Sequence, residues 1–218
     1  MGKCHSHETQ YSVPVDEFPS IKGRGVDKQY IEEEALLIDS YRLAVRVYES
    51  GFRPNFIVGI WRGGSTVGIY VQECLQYLGV NTDHIAIRTS YRGMDDYLQK
   101  LNTESEIRVH GLQYLYENVN QGDSLLIVDD VYSTGRNVNA VINRLAAKTK
   151  RNMPHDVRIA VPFYRSSQNQ TNRVPDFYLH DTDKWLVLPY ELTGLSEQEI
   201  RENKAWMMPI LDECKALE

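Results

Sequence analysis

The chain has 218 residues, of which 42% are apolar and 25% are charged, and its formal net charge is −6. These values are typical of a globular protein with one domain, or one domain and a small appendage, and they exclude disordered and fibrous classes. Because the net charge is negative, no overall basic field is expected to recruit nucleic acid or an anionic membrane. An anionic substrate would have to be bound by local donors.

The cysteines and the N-terminal residues give expectations about the compartment. Cys4, Cys74 and Cys214 are far apart and form no C-x-x-C pair, which favours free thiols in a reducing cytoplasm. The first ten residues have no apolar core and no stretch reaches membrane-spanning length, so neither a signal peptide nor a membrane span is expected. Cys4, His5 and His7 could bind a metal, but a flexible tail is favoured because no fourth ligand stands at zinc-site spacing.

The first part of the chain predicts an extended lead-in, a helix and a buried strand. Residues 1–28 lack a regular period, residues 29–50 carry apolar side chains at helical spacing, and residues 54–60 form an apolar run typical of a parallel strand. The strand passes into a turn that contains Arg62, Gly63 and Gly64. Glycines allow close backbone approach and arginine offers a fork of donors to phosphate oxygens, although a plain glycine turn fits the pattern as well.

The middle of the chain continues the alternation of helices and strands. A helix is predicted over residues 66–78, a strand over 83–89 and a short helix over 112–119. Residues 90–108 are polar and charged without a sustained period. A loop of this length in a compact domain is usually functional or disordered.

The most informative stretch is an apolar run that stops at two acids. Residues 125–128 predict a buried strand, and Asp129 and Asp130 follow it directly. Side chains alternate along a strand, so one acid can face a ligand while the other faces a neighbouring group. Paired acids suit ribose hydroxyls or Mg²⁺, although an ordinary aspartate-rich turn also explains them. A helix predicted over residues 137–148 would favour a phosphate at its N-terminus, where the chain reads Tyr132, Ser133, Thr134, Gly135, Arg136 and Asn137.

The last part of the chain predicts two strands and a helical end. Residues 157–164 and 176–179 have the apolar character of strands, and a polar turn that begins at Arg165 separates them. Trp185 opens a further apolar run, and on this pattern alone a core tryptophan at the sheet edge is favoured. Ser196 followed by Glu199 is the pattern of a capping box, so helices are expected over residues 192–218. The apolar cluster near the end predicts internal packing or a dimer contact; it consists of Trp206, Met207 and Met208.

Residues 125–135 resemble the 5-phosphoribosyl-1-pyrophosphate (PRPP) signature of the type I phosphoribosyltransferases, which reads four apolar residues, two acids, a short variable stretch and Thr-Gly. Arg62-Gly63-Gly64 is similar to the family's pyrophosphate loop, which often reads Arg-Gly-Gly in purine enzymes. Ser90-Tyr91 resembles the start of a hood that many members close over the reaction centre, and closure would exclude water. Residues 184–191 resemble the base-binding segment of xanthine-guanine and hypoxanthine enzymes.

The resemblance implies an α/β fold with a twisted, mostly parallel sheet and helices on both faces, plus a flexible hood and a small base-recognition region. It covers residues 29–191, the expected phosphoribosyltransferase domain, with the hood at 90–110. The extended lead-in over residues 1–28 and the helical segment over 192–218 lie outside the resemblance and are expected from local pattern alone. A homodimer in the cytoplasm is expected, with PRPP and a purine base as its small-molecule partners.

The implied reaction displaces pyrophosphate from C1 of PRPP with a nitrogen of a 6-oxopurine such as hypoxanthine, guanine or xanthine. Asp129 and Asp130 would hold the ribose hydroxyls and Mg²⁺, and Arg62 would stabilise the departing charge. Glu191 falls where some relatives have an acid near a second Mg²⁺, and a solvated glutamate fits equally well. The implied PRPP contacts are Gly63, Gly64, Ser90, Tyr91 and residues 132–137, and the implied base contacts are Arg165, Trp185 and Leu186.

Two positions depart from the pattern of 6-oxopurine enzymes. Those enzymes usually carry an aspartate before Thr-Gly that handles the proton on the purine N7, whereas this chain has Ser133, which is no comparable base at neutral pH. They commonly read the 6-oxo group with a lysine where Arg165 stands, and arginine also only donates hydrogen bonds. A PRPP-binding regulatory protein without catalysis and a transferase for another base therefore stay open as alternatives.

Overall fold

The computed structural model describes residues 28–90 and 107–215, with side chains as far as residue 213. The chain divides into two compact units, one of residues 27–190 and a second to which residues 191–215 belong. The expectations about the N-terminal lead-in with Cys4, His5 and His7, about Tyr91 and about most of the hood lie outside the described residues.

The first unit alternates strands and helices along the chain. Its described strands are β1 (Lys28–Tyr30), β2 (Phe56–Trp61), β3 (Asp83–Ser90), β4 (Arg108–His110), β5 (Ser124–Val128), β6 (Val131–Tyr132), β7 (Asp156–Tyr164), β8 (Phe177–Asp181) and β9 (Trp185–Val187). Its described helices are α1 (Glu33–Glu49), α2 (Gly63–Tyr77), α3 (Gln113–Asn118) and α4 (Arg136–Thr149). Short 3-10 turns occupy Lys150–Asn152 and Ser166–Gln168.

Seven of these strands form one sheet. Its order is β4-β3-β2-β5-β7-β6, and β8 also pairs with β7. All of its described pairs are parallel except β3 with β4. A separate parallel pair joins β1 to β9. The arrangement confirms the predicted mostly parallel sheet.

The position of β5 in the middle of the sheet explains why residues 125–128 are an unbroken apolar run. Leu126 and Val128 are buried in one core cluster with residues of α1 and α2, whereas Leu125 and Ile127 are buried in another with residues of α3 and α4. Because helices cover both faces, both alternating sets of side chains must be apolar. Complete burial of each such side chain stabilises the fold by about 1.5 to 3 kcal/mol. The acids that follow β5 therefore stand at the carboxyl edge of a rigid sheet.

Three expected boundaries are wrong. Residues 28–30 form β1 and α1 begins only at Glu33, because pairing with the distant strand β9 overrides the local helical spacing. Part of the expected loop at residues 90–110 is the strand β4, which pairs with the end of β3 through Ser90 and Arg108. Helix α2 begins at Gly63 instead of residue 66, so the glycine turn is its first turn.

The second unit contains α5 (Glu197–Asn203), a 3-10 turn (Ala205–Met207) and α6 (Met208–Lys215). The predicted capping box at the start of α5 is confirmed. The Ser196 hydroxyl accepts the Glu199 N–H at 3.2 Å, and the Glu199 carboxylate accepts the Ser196 N–H at 2.9 Å. Within residues 28–90 and 107–215, no helix is both long enough and apolar enough to span a membrane.

Candidate active site

The glycine turn after β2 contacts the acid pair after β5. The two strands are parallel neighbours with Gly59 opposite Val128, so their ends emerge side by side. A Cβ atom on Gly64 would lie 2.8 Å from the Asp129 Cα, and one on Gly63 would overlap the Asp130 carboxylate. The predicted anion-binding turn and the predicted acid pair meet only because the turn carries no side chains there.

Hydrogen bonds fix both carboxylates of the pair. Asp129 Oδ1 accepts the Asp130 N–H at 3.1 Å, and Asp130 Oδ1 accepts the Val131 N–H at 2.7 Å. Asp130 Oδ2 accepts the Tyr190 O–H. Burial and the neighbouring charge of Asp130 raise the pKa of the Asp129 carboxyl well above its ordinary value. A cation or hydroxyl donors at this position would relieve that electrostatic cost.

Arg62 stands between β2 and α2, and its side chain is exposed. The Trp61–Arg62 peptide bond is cis. Arg62 directly precedes Gly63, so it belongs to the turn that contacts the acids. An exposed arginine at this place can reach an anion that approaches the carboxyl edge of the sheet.

The turn between β6 and α4 has the local features of a phosphate site. Gly135 adopts a positive φ of 73° as the residue before α4, a conformation that favours glycine. The Arg136 N–H donates to the Thr134 hydroxyl at 3.4 Å. Ser133 and Asn137 are half-buried on either side. The positive end of the dipole of this 14-residue helix favours an anion at its N-terminus.

Tyr132 supports this turn from the core. Its side chain is 2% exposed, and its hydroxyl group donates to the Arg173 carbonyl at 2.9 Å and lies 3.1 Å from the Thr171 hydroxyl. A Cβ atom on Gly135 would overlap the Tyr132 hydroxyl. The side chain of Tyr132 therefore shapes the turn, and only its backbone is left to contact a ligand.

Arg165 and Trp185 lie close together in the region expected to bind a base. The guanidinium carbon of Arg165 is 5.8 Å from the centre of the Trp185 ring, and its Nη2 donates to the Asp183 carbonyl at 3.1 Å. The Arg165 Nε is buried and has no hydrogen-bond partner within the described part of the chain. Trp185 is 37% exposed, whereas Leu186 is buried and pairs with Gln29. An exposed ring beside a donor suits a planar ligand with an acceptor at its edge.

The remaining expected site residues fall in different places. Ser90 ends β3, and its hydroxyl lies 3.2 Å from the His110 Nε2. Tyr91 lies outside the described residues. Glu191 belongs to the second unit, so its proposed role at a metal stays a prediction.

Similarity to a known protein family extends over most of the chain. The family model of the phosphoribosyl transferase domain matches residues 27–192. The chain belongs to the phosphoribosyltransferase family. No curated protein matches the chain.

Solved structures share the phosphoribosyltransferase fold at low identity. A purine phosphoribosyltransferase from Pyrococcus horikoshii is 23% identical with a TM-score of 0.58, covering 78% of this chain and 98% of that one. A hypothetical protein from Neisseria gonorrhoeae with bound ppGpp is 16% identical with a TM-score of 0.63, covering 84% and 99%. A xanthine-guanine-hypoxanthine phosphoribosyltransferase from Helicobacter pylori is 17% identical with a TM-score of 0.55, covering 82% and 99%.

The acid pair of this phosphoribosyltransferase domain fits Mg²⁺ by its donor chemistry. Carboxylate oxygens are ligands that Mg²⁺ prefers, and a cation would favour the ionised form of Asp129 that burial disfavours. Among residues 28–90 and 107–213, no group of three His, Cys, Asp or Glu side chains could hold a metal. Asp129 and Asp130 are the residues that would hold Mg²⁺, with substrate oxygens and water as its other ligands.

No local pattern in the sequence indicates Tyr190 as part of the candidate site. Its hydroxyl group donates to Asp130, and a Cβ atom on Gly63 would overlap that same hydroxyl. Tyr190 follows β9 by three residues in a run that reads as ordinary apolar packing. Its contact with Asp130 joins positions 60 residues apart, which no local pattern reveals.

Proposed function

We propose that the chain transfers the 5-phosphoribosyl group of PRPP to a 6-oxopurine such as hypoxanthine, guanine or xanthine, releasing pyrophosphate and forming a nucleotide for purine salvage. The observation that carries this proposal is the contact between the Gly63-Gly64 turn and the acid pair of Asp129 and Asp130. A substrate that joins a ribose to a pyrophosphate needs both motifs at one place.

Each motif has a part in the proposed reaction. Arg62 and the glycine turn bind the pyrophosphate that departs, and the N-terminus of α4 binds the 5-phosphate. Asp129 and Asp130 accept hydrogen bonds from the ribose hydroxyls, so C1 is held between the base and the leaving group. Mg²⁺, when bound, neutralises the charge that develops on the leaving pyrophosphate.

The base is selected by Trp185 and Arg165 in this proposal. The exposed indole stacks on the purine, and such stacking supplies about 1 to 3 kcal/mol per base. The buried Arg165 Nε, which has no partner within the described residues, offers a donor to an oxo group. A 6-amino group would meet donors only, so a 6-oxopurine is favoured over adenine.

Ser133 gives a specific reason to keep a second candidate function. It stands where an aspartate would handle the N7 proton, and a serine hydroxyl cannot take a proton at neutral pH. The second candidate is a protein that binds PRPP for regulation without turnover. It predicts the same phosphate and ribose contacts but no product.

The deciding experiment supplies purified protein with PRPP, Mg²⁺ and one base at a time. The panel is hypoxanthine, guanine, xanthine, adenine, uracil and orotate, and both pyrophosphate release and nucleotide formation are measured. Turnover with one or more oxopurines only is the expected result. Tight PRPP binding without turnover on any base would replace the enzyme with the regulatory candidate.

A further inference from the structure

Tyr190 joins three parts of the candidate site. Its ring packs against the core cluster that contains residues of α1, α2 and β5, so its position is fixed by packing. Its hydroxyl group leaves that core and donates to Asp130 Oδ2. The same hydroxyl occupies the space that a side chain at residue 63 would need. The tyrosine thus touches both the acid pair and the pyrophosphate turn.

The hydrogen bond completes the fixation of Asp130. Asp130 Oδ1 is already held at 2.7 Å by the Val131 N–H, and this bond alone leaves the carboxylate able to rotate about it. The Tyr190 O–H holds the other oxygen. With both oxygens held, the carboxylate of Asp130 cannot rotate, so the lone pairs that remain free to accept a hydrogen bond point in fixed directions. The two neighbouring hydroxyls of a ribose bind best to acceptors whose directions are fixed in this way.

Tyr190 also belongs to the segment that carries the base-stacking tryptophan. Trp185 opens β9, the strand ends at Val187, and Leu188 is 2% exposed before the chain reaches Tyr190. One short buried segment therefore presents the indole at one end and the phenol at the other. This segment therefore positions both the ring on which a base would stack and, through Tyr190, the acid that would hold a ribose.

We propose that Tyr190 is a positioning residue that aligns Asp130 for the ribose of PRPP through its hydroxyl group. This inference rests on the proposed function, because it assumes that PRPP is the ligand of the acid pair. The hydroxyl acts through Asp130 and does not contact the base. Its loss weakens PRPP binding selectively and leaves the binding of the base unchanged.

The test is the variant Tyr190→Phe, which removes one oxygen and keeps the packed ring. We expect the dissociation constant for PRPP with Mg²⁺, measured by calorimetry, to rise about tenfold, as loss of a hydrogen bond to a charged group does. In turnover assays, the KM for PRPP should rise by the same factor, with kcat and the KM for the base unchanged.

Tyr114→Phe is the matched control. Tyr114 also donates its hydroxyl to a carboxylate, that of Asp83, but this pair is exposed at the amino end of β3, away from the acid pair. The control should bind PRPP as the wild type does. Thermal unfolding of both variants checks that each keeps its fold.

Three outcomes would overturn the inference. Equal PRPP binding by Tyr190→Phe and the wild type would show that the hydroxyl does not align Asp130. Tighter PRPP binding by the variant would show that the hydrogen bond stabilises the ligand-free conformation instead. A rise of the KM for the base equal to that for PRPP would place the effect outside Asp130. If the wild type itself binds no PRPP, the proposed function fails first, and that result is read on the wild type alone.

Discussion

Two regions of the first unit use glycines to make room for polar side chains. At the carboxyl edge of the sheet, Gly63 and Gly64 leave space for Asp130 and Asp129. Beneath α2, Gly59 and Gly68 leave space for the imidazole of His84, because a Cβ atom on Gly59 or Gly68 would lie only 3.0 or 2.8 Å from its Nε2. In both places a neighbouring strand supplies the polar group.

The two regions differ in what the polar groups face. The carboxylates accept hydrogen bonds from the backbone and from Tyr190, and they stand at an edge that a ligand can approach. The His84 Nε2 is buried without a hydrogen-bond partner in the described part of the chain. In both regions glycine allows a polar side chain to approach the backbone closely. What distinguishes the carboxyl edge as the candidate site is that its polar groups are hydrogen-bonded and that a ligand can approach them.

Gly63→Ala is expected to have the largest effect. The new methyl group would overlap both the Asp130 carboxylate and the Tyr190 hydroxyl, so the acid must move from its present position. Misplacement of a binding group by about 1 Å can cost about a hundredfold, and we expect a loss of this size in PRPP affinity measured by calorimetry. Gly122→Ala is the control, since nothing lies within 4 Å of a Cβ atom there. Unchanged PRPP affinity in Gly63→Ala would contradict the contact between turn and acids.

Asp129→Asn should separate stability from function at the carboxyl edge. Burial and Asp130 raise the pKa of Asp129, so above the ordinary carboxyl pKa the folded state bears a cost that the unfolded chain does not. The variant should raise the free energy of unfolding at pH 7 by about 0.5 to 2 kcal/mol, as stabilising changes at strained sites do, while PRPP binding is lost. The gain should vanish near pH 3, where the carboxyl group is protonated in both states. A less stable variant at pH 7 would contradict this account.

Gly68→Ala tests whether the space beneath α2 is only a packing requirement. The methyl group would lie 2.8 Å from the His84 Nε2, and overpacking of this kind costs about 1 to 3 kcal/mol, partly offset by about 1 kcal/mol of helix propensity. We expect a lower free energy of unfolding in denaturant and unchanged PRPP affinity.

The clash has its own control in a second background. When His84→Ala removes the imidazole, Gly68→Ala should become stabilising, because the helix propensity gain stays and the clash is gone. If Gly68→Ala costs the same in both backgrounds, the imidazole is not the group that it meets.

The sequence predicts the parts of the site that depend on local pattern. Asp129 and Asp130 end an apolar run, and that run is apolar at every position because helices cover both faces of β5. The pairing of Lys28–Tyr30 with β9 escaped prediction, because three residues carry too little pattern against a strong helical period beside them. Tyr190 escaped for a related reason, since its role depends on a hydrogen bond between distant segments.

The smallest expected effect is the contribution of His84 to the pH dependence of stability between pH 7 and pH 5. Burial lowers the pKa of His84, against a weaker opposing effect of Asp83, so the folded state resists a proton that the unfolded chain accepts. Stability should therefore fall as the pH drops below the ordinary histidine pKa and level off below the lowered one. Denaturant unfolding of the wild type and His84→Gln between pH 7 and pH 5 should show a shallower decline in the variant. Parallel declines would mean that the imidazole titrates alike in both states, and of the two regions only the acid pair would then bear a cost of charging its polar group.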